Sequence, residues 1–295
     1  MAKPARTQLA KTRHDAEDLA ARFPALLAEA KNLSASLAHG LHGRRKSGPG
    51  ETFWQFRRAR REDPYSAIDW RRSAQSDALF VRETEWEAAQ TVWLWRDGRP
   101  GFDWASDKAL PLKRDRASVL LTAMAIALIN GGERVGIVGQ MQRPLHGRGG
   151  IERAGQMLIM RSTPPENLRT QALTGRPKAI IVSDFYEGAE VWRERLAHFK
   201  AAGMTGVLVQ VYDPAEEDFP YTGRTEFNHP GGGAPVLFGR AQTIAASYQA
   251  RFEHHTKNMA QLARALGWTF VRHRNDRGAA PALLSIYQSI AGDVR

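Results

Sequence analysis

Apolar residues recur at three- and four-residue steps at Leu19, Phe23, Leu26, Leu27, Ala30, Leu33 and Leu37, which predicts an amphipathic helix over 15–38. The glycine-rich, charged stretch HGLHGRRKSGPG (39–50) breaks it and reads as a loop. Residues 51–90 interleave aromatics with arginines and predict short strands or hairpins. From residue 91 the pattern becomes regular. Apolar strands are expected at 91–95, 134–139, 178–185, 206–213 and 268–274. Helices are expected at 114–130, 150–161, 188–203, 244–267 and 279–291, the first of them apolar nearly all round and therefore buried. Strands alternating with helices predict an α/β fold, a mostly parallel sheet with helices on both faces. An N-terminal helix, basic loop and short β segment (1–90) would precede that domain (91–295). Ligands of such sheets bind at the carboxyl ends of strands, near a topological switch point. Asp97 and Asp184 both fall at strand ends and are expected to share one rim.

Composition narrows the chemistry. The chain of 295 residues can bury a substantial core. It has no cysteine, so disulfides, thiolate zinc sites and a thiol nucleophile are excluded, and a reducing compartment suits it. The longest apolar run, 117–129, is shorter than the roughly 18 residues that a membrane span needs. The polar N-terminal stretch has no signal-like apolar segment, and a cytoplasmic protein is expected. Net charge is +11, and residues 42–72 carry nine basic against four acidic side chains. Such an excess favours acidic partners. His254 and His255 are adjacent, about 100° apart on a helix, and make no zinc pair.

Several segments carry a resemblance. The stretch GRRKSGPGETFWQFRRARREDPYSAIDWRRSAQSDALFVRETE (43–85) holds a basic lead-in, an aromatic segment, Arg57, Arg58, Arg60 and Arg61, and the triplet Ile68-Asp69-Trp70 followed by Arg71. A short strand follows from Leu79 to Glu83, and IIVSDF (180–185) and VYDPAEEDFPYTGRTEF (211–227) lie further on. Over roughly residues 20–290 the sequence resembles the domain of unknown function 58 family. The resemblance implies a core like that of von Willebrand factor A domains and no enzymatic activity. It also implies partnership with a MoxR-type AAA+ ATPase in complex assembly or protein maturation, with an unknown client protein.

Many von Willebrand factor A domains hold Mg²⁺ through an Asp-x-Ser-x-Ser motif after the first strand, a threonine from a later loop and a second aspartate. Here the motif positions hold Asp97, Arg99 and Gly101, so both hydroxyls are missing. The stretch at 146–155 offers no threonine, while Ser183 and Asp184 match the last loop. A degenerate metal site is expected, with no metal or other cofactor, although Mg²⁺ stays open as an alternative. Arg99 either neutralises both aspartates through charge-assisted hydrogen bonds or points into water from an ordinary turn. Asp69 is expected to pair with Arg60 or Arg71 and lock the N-terminal segment. Two rival functions stay open: a basic nucleic-acid-binding protein using residues 44–72, and a metal-dependent hydrolase built on Asp97 and Asp184.

Overall fold

The computed structural model describes residues 24–37, 53–84 and 90–291, apart from 26, 61–62, 64, 77, 141–142, 161–176 and 229–233. The loop expected at 39–50 and Arg61 lie outside the described residues. The chain divides into two compact units, one of residues 42–89 and one of the remainder.

The larger unit is a mixed α/β structure with five parallel strands: β3 (Thr91–Arg96), β4 (Arg134–Ile137), β5 (Lys178–Ser183), β6 (Thr205–Tyr212) and β9 (Thr269–Arg274). Their spatial order is β4-β3-β5-β6-β9. Helices α3 (Lys113–Asn130), α4 (Gly147–Met160), α5 (Ala189–Ala201), α7 (Ala245–Leu266) and α8 (Ala280–Ala291) connect or flank them. The expected strands and helices thus form, with ends shifted by a residue or a few. Three further elements lie outside the expected pattern: a short helix α6 (Pro214–Asp218) and the strands β7 (Thr225–Phe227) and β8 (Val236–Phe238) of a hairpin.

Every residue of β3 and β5 is buried, because successive side chains enter two different cores. Val92, Leu94, Ile180 and Val182 join Leu120, Met124 and Leu283 of α3 and α8 on one face. Trp93, Trp95, Ala179 and Ile181 join Trp192, Phe199 and Met259 of α5 and α7 on the other. The N-terminal helix α1, described at residues 27–37, contributes Ala30 and Leu37 to the first core, and Glu29 pairs with Arg116 of α3 at 2.9 Å. The sequence expectation places this helix in an N-terminal segment that ends at residue 90. Its apolar stripe and ion pair tie it to the larger unit instead. Among the described residues no helix is long and apolar enough to cross a membrane.

The smaller unit pairs β1 (Phe53–Arg58) with β2 (Phe80–Thr84) antiparallel and carries a 3-10 turn, Tyr65–Ala67, and a short helix, α2 (Trp70–Ser73). Ile68 bridges to Val81, and both are buried. Asp69 is the N-cap of α2, its Oδ1 accepting the Arg72 backbone N–H at 2.9 Å. The ion pair expected with Arg60 or Arg71 is therefore not what Asp69 makes: its carboxylate serves a helix terminus, and the Arg60 backbone N–H turns to Asp63 at 2.6 Å.

One buried base shapes the pH response of the larger unit. His273, on β9, is buried, and its Nε2 has no hydrogen-bond partner among the described residues. Burial, helped by Arg116, lowers its pKa from an ordinary 6.5 to about 4, with Asp276 opposing. The folded chain holds this imidazole neutral where the unfolded chain protonates it. Its contribution is complete above pH 6.5 and is lost as pH falls towards 4. Urea unfolding at pH 7 and pH 4 should show the native chain losing up to about 3 kcal/mol more than His273→Leu. Parallel losses in both chains would refute the assignment.

Candidate functional site

Parallel strands deliver their carboxyl ends to one rim. Asp97 follows β3, Asp184 follows β5, Asp213 follows β6 and Asn275 follows β9. The chain lays down β3, steps outward to β4, then returns to place β5 on the other side of β3. Connections therefore leave β3 and β5 in opposite directions, which opens a crevice at their carboxyl ends. Asp97 and Asp184 stand there, as the strand ends predict.

Asp97 is fully buried. Its backbone N–H bonds the Val182 carbonyl at 2.9 Å, continuing the β3–β5 ladder for one residue. Its Oδ1 accepts the backbone N–H and Nε–H of Arg99 at 2.9 and 3.0 Å, and its Oδ2 accepts the Ser183 hydroxyl at 2.6 Å and Arg99 Nη2. The same Nη2 lies 3.1 Å from Ser183 Oγ and 3.1 Å from Asp184 Oδ1. Arg99 Nη1 reaches Glu187 Oε2 at 2.9 Å, and Arg195 holds Glu187 from its other side. The guanidinium thus sits between two buried carboxylates, with its side chain 24% exposed. Burial works against its charge, but the hydrogen bonds and charges of Asp97, Asp184 and Glu187 outweigh burial and raise its pKa. The Arg99 reading with charge-assisted bonds to both aspartates is the geometry present. Gly101 lies in a 3-10 turn, Pro100–Phe102, and brings no side chain.

A second cation extends the chain of charges. Lys113, the first residue of α3, is 1% exposed and lies 3.1 Å from Asp184 Oδ2 and 2.6 Å from Glu216 Oε1. The rings of Phe102, Trp104 and Tyr186 surround its ammonium at 5.3–5.8 Å. Burial opposes its charge, yet Asp184 and Glu216 raise its pKa above the ordinary value. Glu216 also takes the Asp213 backbone N–H at 2.7 Å, closing a capping box that starts α6. Asp213 in turn accepts N–H groups of Ser106 and Ala215, each at 2.9 Å. Beneath Asp97, buried Arg96 donates to the Leu158 carbonyl at 3.0 Å; burial, then Arg114, lowers its pKa to about 10.

The loop after β5 is shaped by Phe185, which is left-handed at φ 62° and fully buried. That conformation is costly for a bulky residue. It sinks the ring against Trp192, at 4.8 Å between centroids, and turns the flanking Asp184 and Tyr186 to the rim. His255 of α7 closes the loop, with Nε2 3.2 Å from the Asp184 carbonyl. Burial lowers its pKa.

The structure brings Asp97, Arg99, Ser183 and Asp184 together. Ile68, Asp69, Trp70 and Arg71 belong to the other unit, with Arg57, Arg58 and Arg60. Lys113, Glu187, Asp213 and Glu216 went unpredicted. Lys113 did leave a signal. A cation in the first turn of a helix opposes the helix dipole, and a buried helix makes that worse. Among the described residues no group of three or more His, Cys, Asp or Glu is placed to hold a metal ion.

Comparison with known proteins gives a family and relatives. The family described as Protein of unknown function DUF58 matches residues 55–258. Uncharacterized proteins of Mycobacterium bovis and Mycobacterium tuberculosis are 25% identical over 284 residues, 90% of this chain and 88% of theirs. Two solved structures are also similar. An aerotolerance-related membrane protein from Bacteroides fragilis, carrying multiple mutations to serines, has a TM-score of 0.42 and 16% identity; the match covers 69% of this chain and 100% of that one. The conserved hypothetical protein BatB from Bacteroides thetaiotaomicron has a TM-score of 0.39 and 15% identity over 70% of this chain and 100% of that one.

The charge chain predicts its own energetics. Lys113→Met leaves Asp184 and Glu216 buried with one cation fewer, and should cost about 3–5 kcal/mol in urea unfolding. Adding Glu216→Gln should recover part of that loss. A single variant as stable as the native chain would refute the pairing.

Proposed function

This chain belongs to the DUF58 family of proteins of unknown function, and from that membership we propose a non-catalytic protein-interaction module that docks through the rim at Asp97, Arg99 and Asp184. The observation that carries this reading is the Arg99 guanidinium bonded to Asp97, Ser183 and Asp184 at the switch point. In a core of the von Willebrand factor A kind, that place would belong to a divalent cation. The residues here do not suit one. Mg²⁺ needs six oxygens in a tight octahedron. The carboxylate oxygens of Asp97 are taken by Arg99 and Ser183, those of Asp184 by Arg99 and Lys113, and Gly101 has none to give. A dication would also sit against two fixed positive charges.

The same pairing argues against catalysis. Each rim carboxylate is bonded to a cation or to backbone N–H groups, so none stands ready as a general base. What remains is a rigid, polar rim bearing Arg99, Glu187 and the half-exposed ring of Tyr186, suited to docking a protein. We take the partner to be a MoxR-type AAA+ ATPase, on the family resemblance, and the compartment to be the cytoplasm, which the absence of cysteine suits. The ATPase would supply the energy for remodelling a client.

Affinity purification from the native cell, with nuclease present, tests this. A AAA+ ATPase should co-purify in stoichiometric amount and be lost with Glu187→Lys; because Glu187 is also a partner of Arg99, a melting curve checks that the rim persists in that variant. Millimolar Mg²⁺ should leave the melting temperature unchanged. Capture of nucleic-acid proteins that vanish with nuclease, or a Mg²⁺-dependent rise in melting temperature, would overturn the reading.

A further inference from the structure

The connection from β6 to β9 carries the hairpin β7–β8. A two-stranded hairpin is marginal in water by itself. Rings hold this one. Phe219 stacks on Phe227 at 5.9 Å between centroids and lies 4.7 Å from Tyr248 of α7, and Phe227 meets Phe238 across the hairpin at 5.8 Å. One edge stays open. β8 pairs with β7 alone, so its other side has no strand partner among the described residues. The run Ala234-Pro235-Val236-Leu237, which leads into β8, is exposed, Val236 by 54% and Leu237 by 51%. Among its described residues the larger unit exposes four large hydrophobic side chains, Tyr186, Val191, Val236 and Leu237, and two adjacent ones are here. Edges are ordinarily blunted by charge or covered. A rigid edge with apolar side chains is a template for an added strand.

Charge says what the added strand carries. Residues 213–253 hold six carboxylates and three arginines. Glu216 pairs with Lys113, Glu217 with Arg272 and Arg274, Asp218 with Arg274, and Glu253 with Lys257, while Asp213 is fully buried. Only Glu226 is exposed without a cation. Arg224, Arg240 and Arg251 are all exposed and have no acidic partner among the described residues. Arg224 and Arg240 stand together at the base of the hairpin, where the Ala241 N–H bonds the Gly223 carbonyl at 2.8 Å. Residues 229–233 add a histidine and no other titratable side chain.

We propose that the free edge of β8 docks an extended protein segment in which carboxylates alternate with apolar side chains. Its backbone would continue the hairpin as a third strand, its apolar side chains would cover Val236 and Leu237, and its carboxylates would meet Arg224 and Arg240. A single-stranded nucleic acid would need open rings for stacking. The exposed side chains here are aliphatic, and the rings of the hairpin are half-buried against one another. An anionic bilayer would meet Glu226, the cross-strand partner of Leu237, at the same depth. This edge is separate from the pairing of Asp97, Arg99 and Asp184 and does not depend on its role.

The test uses the full chain and a labelled peptide of alternating Glu and Val, read by fluorescence anisotropy. Binding is expected, weakened about tenfold by Leu237→Ser and about tenfold by Arg224→Glu with Arg240→Glu. These positions are exposed, and melting curves check that the fold persists. A peptide N-methylated at every second residue keeps its side chains but loses the donors that pair a strand, and should bind at least about tenfold more weakly. No binding, equal binding of the methylated peptide or of polyglutamate, or an affinity that either variant leaves unchanged overturns the proposal. Tighter binding of oligothymidylate or of phosphatidylserine vesicles than of the peptide overturns it too, and identifies a nucleic acid or a lipid surface instead. Peptide binding without capture of an ATPase would overturn the rim reading alone, and capture without peptide binding would overturn this one alone.

Discussion

Burying carboxylates is the constraint on which the rest of this molecule turns. Asp97 is fully enclosed, Asp184 nearly so, and Glu216 lies behind Lys113. An ionised carboxylate out of water is expensive unless it is paired and hydrogen-bonded. The fold meets that demand with two cations of different kinds. Arg99 is planar and presents several donors, so one group satisfies Asp97, Ser183, Asp184 and Glu187. Lys113 is a point charge in an aromatic enclosure, reaching one oxygen on each of two carboxylates. Together they link the end of β3, the end of β5, the start of α3 and the start of α6.

The sheet makes that linkage possible. Five parallel strands send their carboxyl ends in one direction, and the order β4-β3-β5-β6-β9 opens the crevice between β3 and β5. The apolar interior holds the strands in register on both faces, so the polar rim is built on rigid supports. Gly206 illustrates the closeness of that packing: a Cβ there would come within 2.3 Å of the Ala179 carbonyl oxygen.

Much of this architecture is legible along the chain, and the reasons are physical. Strands such as residues 178–183 are short, apolar and β-branched, and helices such as α5 carry one apolar stripe, so their types follow from local pattern. Asp97 and Arg99 are two residues apart, so their pairing could be weighed from the sequence. Glu216 is 103 residues from Lys113, and no periodicity links them. The helix α6 is five residues long, too short for a repeat to register, although its capping box is written in Asp213 and Glu216. Asp69 is less legible, because an aspartate beside arginines reads equally as an ion pair and as a helix cap; only the backbone decides between them.

Filling the rim with arginine has a consequence for control. A centre that borrows a divalent ion answers to the supply of that ion, and a chelator or a change in free Mg²⁺ can silence it. A guanidinium tethered two residues from its first aspartate is always present at the same effective concentration and keeps its proton at any pH a cell reaches. The pairing of Arg99 with Asp97 and Asp184 therefore does not depend on the supply of an ion. On the docking role proposed for this rim, the timing of events there is set by the molecule that arrives.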